Sequence, residues 1–419
     1  MSVLNLDQVL HKLQIPTATE IFQSFWEESM AGMPAMVPDF LRPEVAVSYR
    51  EWCGMSPEAD EALVETCKRI QEDSALMQFT WHCHQLMYKH PEYSQTGQWP
   101  ILTAVLGNLA GVVYLLVGLA ATPYVQSVHQ KLGVSAEITR ATCHQVACFA
   151  TNYYNMTNGL FGITLNQIYW LRNYTNGQLF RIGRFEYRIR SFGSWLEAYR
   201  NKETRQVIAL SVDGARYTVD GYVAVDDVAD AWTATLLHNQ DTVAGYPILP
   251  QGMAENRLVT LALDQWERVL QQGDLVLDMH IPTGGAMHLN DCADSFRKGV
   301  AFFKHFFPEK PIKAICCNNS WIFNNQLQEI TLSSDNLASF QRELYLFPIK
   351  SSVDSGLWFI FQQTPLDLNT APRRTSLQRA VADYILSGHT WRSGGMYFLV
   401  DDLDQFGTQV YRNALLPAV

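Results

Sequence analysis

Charge is scarce in this sequence: 17% of its 419 residues are Asp, Glu, Lys or Arg, against 47% apolar ones, and the formal net charge is -10. An acidic balance of this size excludes a broad phosphate-binding surface for nucleic acid, while leaving room for a small basic pocket. The eight cysteines contain no CxxC pair and no regular spacing. The start, Met1-Ser-Val-Leu-Asn-Leu-Asp7, lacks a basic stretch followed by an apolar core. Together these lead us to expect a cytoplasmic protein with free thiols. The sequons at Asn155, Asn173 and Asn318 then carry no weight. There is no internal repeat and no low-complexity tract. The length calls for two or three domains with ample core.

No Asp, Glu, Lys or Arg lies between Trp99 and Gln130. Ile101 to Val125 is long enough to cross a bilayer, which takes ~20 residues. It nevertheless contains Asn108 and three glycines, ends near Pro123 and has no basic flank. It reads as a buried helix, and no membrane partner is expected.

Helical spacing dominates residues 1 to about 165, with helices expected over 4–13, 17–30, 57–73 and 74–89. Ala62, Leu63, Cys67 and Ile70 share one face, and Ser56 and Ser135 stand where a cap is needed. Beyond Gly159 the pattern changes. Residues 180–189 alternate apolar and basic side chains as one half-buried strand, and 206–212, 215–219, 222–225 and 232–238 are short strands. Asp213-Gly214 and Asp220-Gly221 mark tight hairpins between them. Residues 263–272 look helical, 340–349, 357–362 and 396–400 look like strands, and 375–387 is a capped helix. The fold class is α+β, with a helical domain over 1–165 and a mixed-sheet domain with flanking helices over 166–419. The second has a β-rich part at 178–260.

The segment 274–321 carries the only definite chemistry. It reads as strand (274–281), glycine turn (Pro282-Thr-Gly-Gly-Ala286), amphipathic helix (291–307) and second strand (313–317). Phe296, Val300, Phe303 and Phe307 form the buried helix face. A glycine turn near a helix start presents main-chain N–H groups and partial positive charge to an anion. Thr283, Gly284, Gly285 and Ala286 are therefore candidate diphosphate ligands, with Arg297 further along the helix, though the same residues also make a plain strand-to-helix turn. Period two places Asp278 and His280 side by side next to the turn. They form a candidate proton-handling pair, or a satisfied polar pair at a strand end. Cys316-Cys-Asn-Asn-Ser320 closes the second strand, in the same crevice if the strands are parallel. There Ser320 is a candidate proton donor, and Asn318 or Asn319 a carbonyl polariser. Cys316 or Cys317 is an acyl-accepting thiol or a buried structural residue.

Other groupings are weaker. His82, His84 and His90, and Cys143, His144 and Cys148, lack the paired spacing of a zinc site, so no metal is expected. Arg184, Arg188 and Arg190 share a face, as a local anion site or a solvated one. Arg373-Arg374 reaches a phosphate or simply sits on the surface.

His280-Ile-Pro-Thr-Gly-Gly285 followed by an amphipathic helix resembles a signature of two-part bacterial acyltransferases. These join a helical N-acyltransferase N-terminal domain to a GNAT-like C-terminal domain. Leu179–Tyr187, Val219–Tyr222, Ser320-Trp321, Ser339–Arg342 and Arg374–Arg379 carry the resemblance along nearly the whole chain. It implies an acyl-CoA-dependent N-acyltransferase with acetyl-CoA or another acyl-CoA as co-substrate and an acyl-CoA unit at 274–350. The acceptor would be an amine of a small molecule or peptide. In such folds the strands flanking the turn splay, the pantetheine arm enters between them and the turn grips the diphosphate. Three departures stand out: Ile281 occupies the position of the usual Arg or Gln, residues 287–290 separate turn from helix, and 263–272 looks helical where a strand belongs. A catalytically inactive binding or regulatory module on the same fold is the alternative. Tyr345 is a further acid candidate.

Overall fold

The computed structural model describes residues 4–193, 195–225, 228–331, 336–352 and 354–412. The chain divides into two compact units, one of Met1–Arg181 with Pro282–Gly284, the other of Ile182–Ile281 with Gly285–Val419.

The first unit is helical. Its central helix, Ser74–Tyr88, starts where the Asp73 carboxylate accepts from the amides of Ala75 and Leu76, and twelve of its fifteen residues are buried. At its other end the Arg172 guanidinium donates to the carbonyls of Leu86 (2.7 Å) and Met87 (3.0 Å), orphaned by the helix end, and to that of Tyr93 (2.5 Å). Helix Ala110–Leu119 is buried at all ten positions. The apolar span Thr103–Leu132 is long enough to cross a membrane, yet 72% of its most apolar window is buried inside the protein. Ser56 and Ser135 cap as the sequence indicates. The expected helix over 17–30 is broken, with Phe25 in the left-handed region (φ 62°). The histidines serve packing. His82 bonds Ser29 Oγ (2.8 Å) and the Phe22 carbonyl (2.9 Å), and burial pushes it down to about 4. His84 stacks on Phe40 and Trp81 and is pushed down to about 3 for the same reason.

The second unit is built on a six-stranded sheet. In chain order its strands are β1 (Phe180–Ile182), β2 (Phe185–Ser191), β3 (Leu275–His280), β4 (Ala314–Ser320), β5 (Tyr345–Pro348) and β6 (Gly394–Leu399), arranged β1-β2-β3-β4-β6-β5. β3 and β4 are parallel, and the helix Leu289–Phe306 connects them. Its apolar face packs Phe296 against Phe185, Phe340, Phe398 and Phe406. Gly299 lets it approach closely, since a Cβ there would lie 2.9 Å from the Tyr187 ring. A five-stranded antiparallel sheet, centred on Val207–Ser211, packs on a three-stranded one through Tyr199, Leu210, Val243 and Leu261.

Several expectations for this unit are corrected. Residues 263–272 are not helical: Trp266–Leu270 is a strand paired with Leu196–Asn201. Trp266 and Leu270, the buried residues of that strand, lie four apart, a spacing that suits both a helix and a strand. Residues 357–362 form a short helix, Leu357–Phe361, with Leu357, Ile360 and Phe361 buried at helical spacing. Within 340–349 the helix Asn336–Glu343 ends before β5 begins. The segment 180–189 is two strands, β1 and β2, joined at Gly183-Arg184.

Arg200 and Asp402, both buried, form a two-pronged ion pair with both N···O distances 2.7 Å, and Tyr411 donates to the same carboxylate at 2.9 Å. Removing one member strands the other charge. Asp402→Ala should cost about 3–5 kcal/mol in urea unfolding, and replacing both members by apolar residues of similar size should recover most of that loss.

Candidate functional site

The site is laid out by sheet register. Directly paired residues share a face, so Arg188, Asp278, Cys316, Tyr397 and Tyr345 form one row across β2, β3, β4, β6 and β5. The opposite face, with Tyr187, Leu277, Ile315 and Phe398, packs under the Leu289–Phe306 helix. The row is thus the polar face of a sheet whose other side is core.

Asp278 is its centre. Its carboxylate accepts from Arg188 Nε (2.9 Å), His280 Nε2 (3.1 Å) and an Arg190 guanidinium nitrogen (3.4 Å). Burial alone raises the acid, but the hydrogen bond and charge of His280, with those of Arg188, outweigh burial and hold it at about 2. Asp278 is therefore an anion at neutral pH and not itself a base. It fixes the imidazole, because an ionised carboxylate requires His280 Nε2 to carry hydrogen. His280 keeps 27% of its side chain exposed. The two residues singled out together in the sequence thus stand together.

At this point the sheet opens. The β3–β4 ladder has three pairs and ends at Asp278–Cys316. Both strands run on with their other neighbours: Met279 and His280 stay paired with β2, and Cys317 and Ser320 with β6, across a register shift between them. The parting implied by the resemblance is present in the register.

After β3 comes the turn. Thr283, Gly284, Gly285 and Ala286 are all exposed. Gly284 (φ 90°) and Gly285 (φ 75°) adopt left-handed backbone, and a Cβ on Gly284 would meet nothing within 4 Å. The helix begins at Leu289, sooner after the turn than the sequence spacing indicates. Arg184, in the β1–β2 turn, donates to the carbonyls of Gly285 (3.2 Å) and Ala286 (3.3 Å). A guanidinium thus reaches the turn from a distant segment, although Ile281 stands at the usual position for one. Ser295 anchors that hairpin, donating to the Ile182 carbonyl (2.5 Å), accepting from the Phe185 amide (3.2 Å) and bonding the Tyr187 hydroxyl (2.9 Å). Arg297 is exposed, about 12 Å along the helix from its start.

Other candidates have different work. Ser320 Oγ accepts from the Ile322 amide (3.2 Å) as the cap of a short turn. Tyr345 is no acid: its buried hydroxyl accepts from the Ala209 amide (2.9 Å) and donates to the Ile248 carbonyl (2.6 Å), and burial raises it further. Cys316 and Cys317 are buried and their thiols pushed up, Cys317 to about 12, which disfavours a nucleophilic thiolate. Arg373 pairs with Asp383 on the surface (2.5 Å), and the Arg374 amide donates to the Gln378 side chain (2.9 Å) in the first turn of the helix that Thr375 caps. A cavity of about 400 Å³ lies past the end of the ladder, on the β4 side, walled by Asn318, Trp195, Tyr217 and Phe347. Cys316 Sγ donates to Asn318 Oδ1 (3.0 Å), joining this wall to the Asp278 row.

Parted parallel strands, an open glycine turn and a connecting helix together are the arrangement that the sequence resemblance implies for acyl-CoA acyltransferases. The chain belongs to the GNAT-like C-terminal domain family, whose model matches residues 179–398; residues 46–177 match the N-acyltransferase N-terminal domain. No curated protein matches the sequence. Among solved structures, an acyltransferase in complex with decanoyl-CoA and teicoplanin aligns with TM-score 0.63 at 18% identity, covering 95% of this chain and 100% of that one. One in complex with CoA and 10C-teicoplanin gives 0.64, also at 18% identity, with the same coverage. A mutant acyltransferase in complex with octanoyl-CoA gives 0.61 at 18%, covering 94% and 98%. At this identity the likeness establishes a shared fold.

Asp278 ties the site to stability. Its folded value of about 2 lies below its ordinary 3.8, so its contribution is complete above about pH 4 and is lost as pH falls through 2. On the order of 2 kcal/mol should disappear across that window. Acid unfolding of Asp278→Asn should lack this component.

Proposed function

We propose that this protein is an acyl-CoA-dependent acyltransferase that moves an acyl group to an amine of a small molecule or peptide in the cytoplasm. The observation that carries the reading is the end of the β3–β4 ladder at Asp278–Cys316. The pantetheine arm enters between the parted strands, where main-chain groups freed from the ladder bond its amides. The turn from Thr283 to Ala286 takes the diphosphate, with Arg184 adding positive charge. His280, oriented by Asp278, accepts a proton as the amine nitrogen attacks the thioester carbon. A C–N bond forms, the C–S bond breaks, and the sulfur leaves as CoA.

The chain-length question is open to direct assay. Solved relatives carry octanoyl-CoA and decanoyl-CoA, so decanoyl-CoA and acetyl-CoA are the first pair to compare, by calorimetry and by release of free CoA with a panel of primary amines. Binding of neither thioester at millimolar concentration would remove the proposal. Binding without amine-dependent CoA release would leave the inactive-module alternative. His280→Ala should lower kcat by roughly 10²–10⁴-fold with little change in the KM for acyl-CoA. Arg184→Ala should instead raise that KM by about tenfold, the loss of one charge-assisted contact.

A further inference from the structure

Several buried or half-buried arginines of this protein hold a carboxylate. Arg50 pairs with Asp60 (2.7 and 3.0 Å), Arg188 with Asp278 (2.9 Å) and Arg200 with Asp402 (2.7 Å). Arg181 is different. Its side chain is half-buried, yet its guanidinium donates to a thiol, Cys148 Sγ at 3.7 Å, and no carboxylate among the described residues pairs with it. Sulfur is a weak acceptor, and a cation partly withdrawn from water without a counter-charge is costly. The nearby His144 offers no compensation. Burial, with the charge of Arg181 added, holds that imidazole below its ordinary value, against the pull of its bond to the Cys53 carbonyl (2.8 Å).

What stands next to Arg181 is the glycine turn. Along β1, Phe180 and Ile182 are buried and Arg181 falls on the opposite side. The Arg181 amide donates to Thr142 Oγ1 (3.1 Å), in helix Ala136–Cys143, which fixes where the side chain starts. From there it reaches Cys148, in the first turn of helix Gln145–Met156. The same sulfur donates to the Thr283 carbonyl (3.5 Å). A single sulfur atom thus separates the guanidinium from the turn. Pro282–Gly284 belongs to the same compact unit as Arg181. Thr283 and Gly284 are exposed, and Gly284 has left-handed backbone with open space where a Cβ would stand. An anion resting on this main chain would supply the counter-charge that Arg181 lacks.

We propose that Arg181 binds the diphosphate of the acyl-CoA at the Thr283–Gly284 half of the turn, so that the helical unit takes a direct part in holding the co-substrate. Its charge meets the phosphate that adjoins the pantetheine arm, because Thr283 is the part of the turn nearest the end of β3. The 3′-phosphate lies a nucleoside farther out. Naming the anion a CoA diphosphate rests on the acyl-transfer reading; the anion site itself does not.

The test uses the full chain and calorimetry with CoA, 3′-dephospho-CoA and inorganic pyrophosphate. Arg181→Gln should raise the Kd of all three by about tenfold, the size of one charge-assisted contact, with little change in the Tm of the unliganded protein. Arg181→Met keeps the apolar stem against the helix and should show the same loss, which covers poor folding of the first variant. Arg181→Lys restores the charge and should recover most of the affinity. A loss below twofold overturns the proposal, as does a loss confined to CoA, which would put Arg181 at the 3′-phosphate. A loss that Arg181→Lys shares in full also overturns it, since the residue would then act through packing alone. So does failure of pyrophosphate and CoA alike to bind at millimolar concentration. If pyrophosphate binds in an Arg181-dependent way while neither CoA compound binds, the anion site stands and the acyl-CoA reading falls.

Discussion

One buried carboxylate organises the second unit. Asp278 stands at the last rung shared by the two parallel strands and holds two arginines from β2 and an imidazole from its own strand. Buried acids are tolerated when charge and hydrogen bonds balance their lost hydration. Here those bonds also lock β2 to β3 in register at the point where β3 loses its other neighbour. A one-residue slip would send Asp278 into the aromatic core under the helix and bring Leu277 to the polar face. The pairing therefore fixes which side of the sheet bears Asp278 and His280.

The same economy recurs away from the site. Arg200 and Asp402, far apart in sequence, meet as a buried ion pair, with Tyr411 joining the carboxylate. Arg172 gathers carbonyls at the end of the central helix of the first unit. Each is a long cation satisfying acceptors that burial would otherwise leave at a cost. In a chain so poor in charge, several of the charges that lie inside bridge segments distant in sequence.

The parts of the site that the sequence discloses are those governed by local period. Alternation along 274–281 puts Asp278 beside His280, and the 3.6-residue repeat of Phe296, Val300 and Phe303 marks the connecting helix. Gly284-Gly285 marks the turn because left-handed backbone favours glycine. What the sequence conceals depends on contacts between distant segments. Arg184 reads as one of several strand arginines until the Gly183 turn carries it to Gly285. Tyr345 reads as a free phenol until the five-stranded sheet takes up its hydroxyl. Trp266 and Leu270 read as helical because a spacing of four fits both periods, and the pairing with Leu196–Asn201 decides between them. Leu357–Phe361 is short enough for an apolar run to suit either a strand or a single helical turn. The cavity is likewise illegible, since its walls come from stretches more than a hundred residues apart.

The Gly183-Arg184 hairpin tip, clasped by Ser295, has a bearing on how such proteins can be recombined. The cation beside the glycine turn is encoded a hundred residues upstream of it, and the serine that steadies the hairpin lies downstream. A chimaera that exchanged only the loop between β3 and its helix would inherit the glycines without their guanidinium. Moving the intact turn into another scaffold thus means transplanting three discontinuous pieces as one cassette.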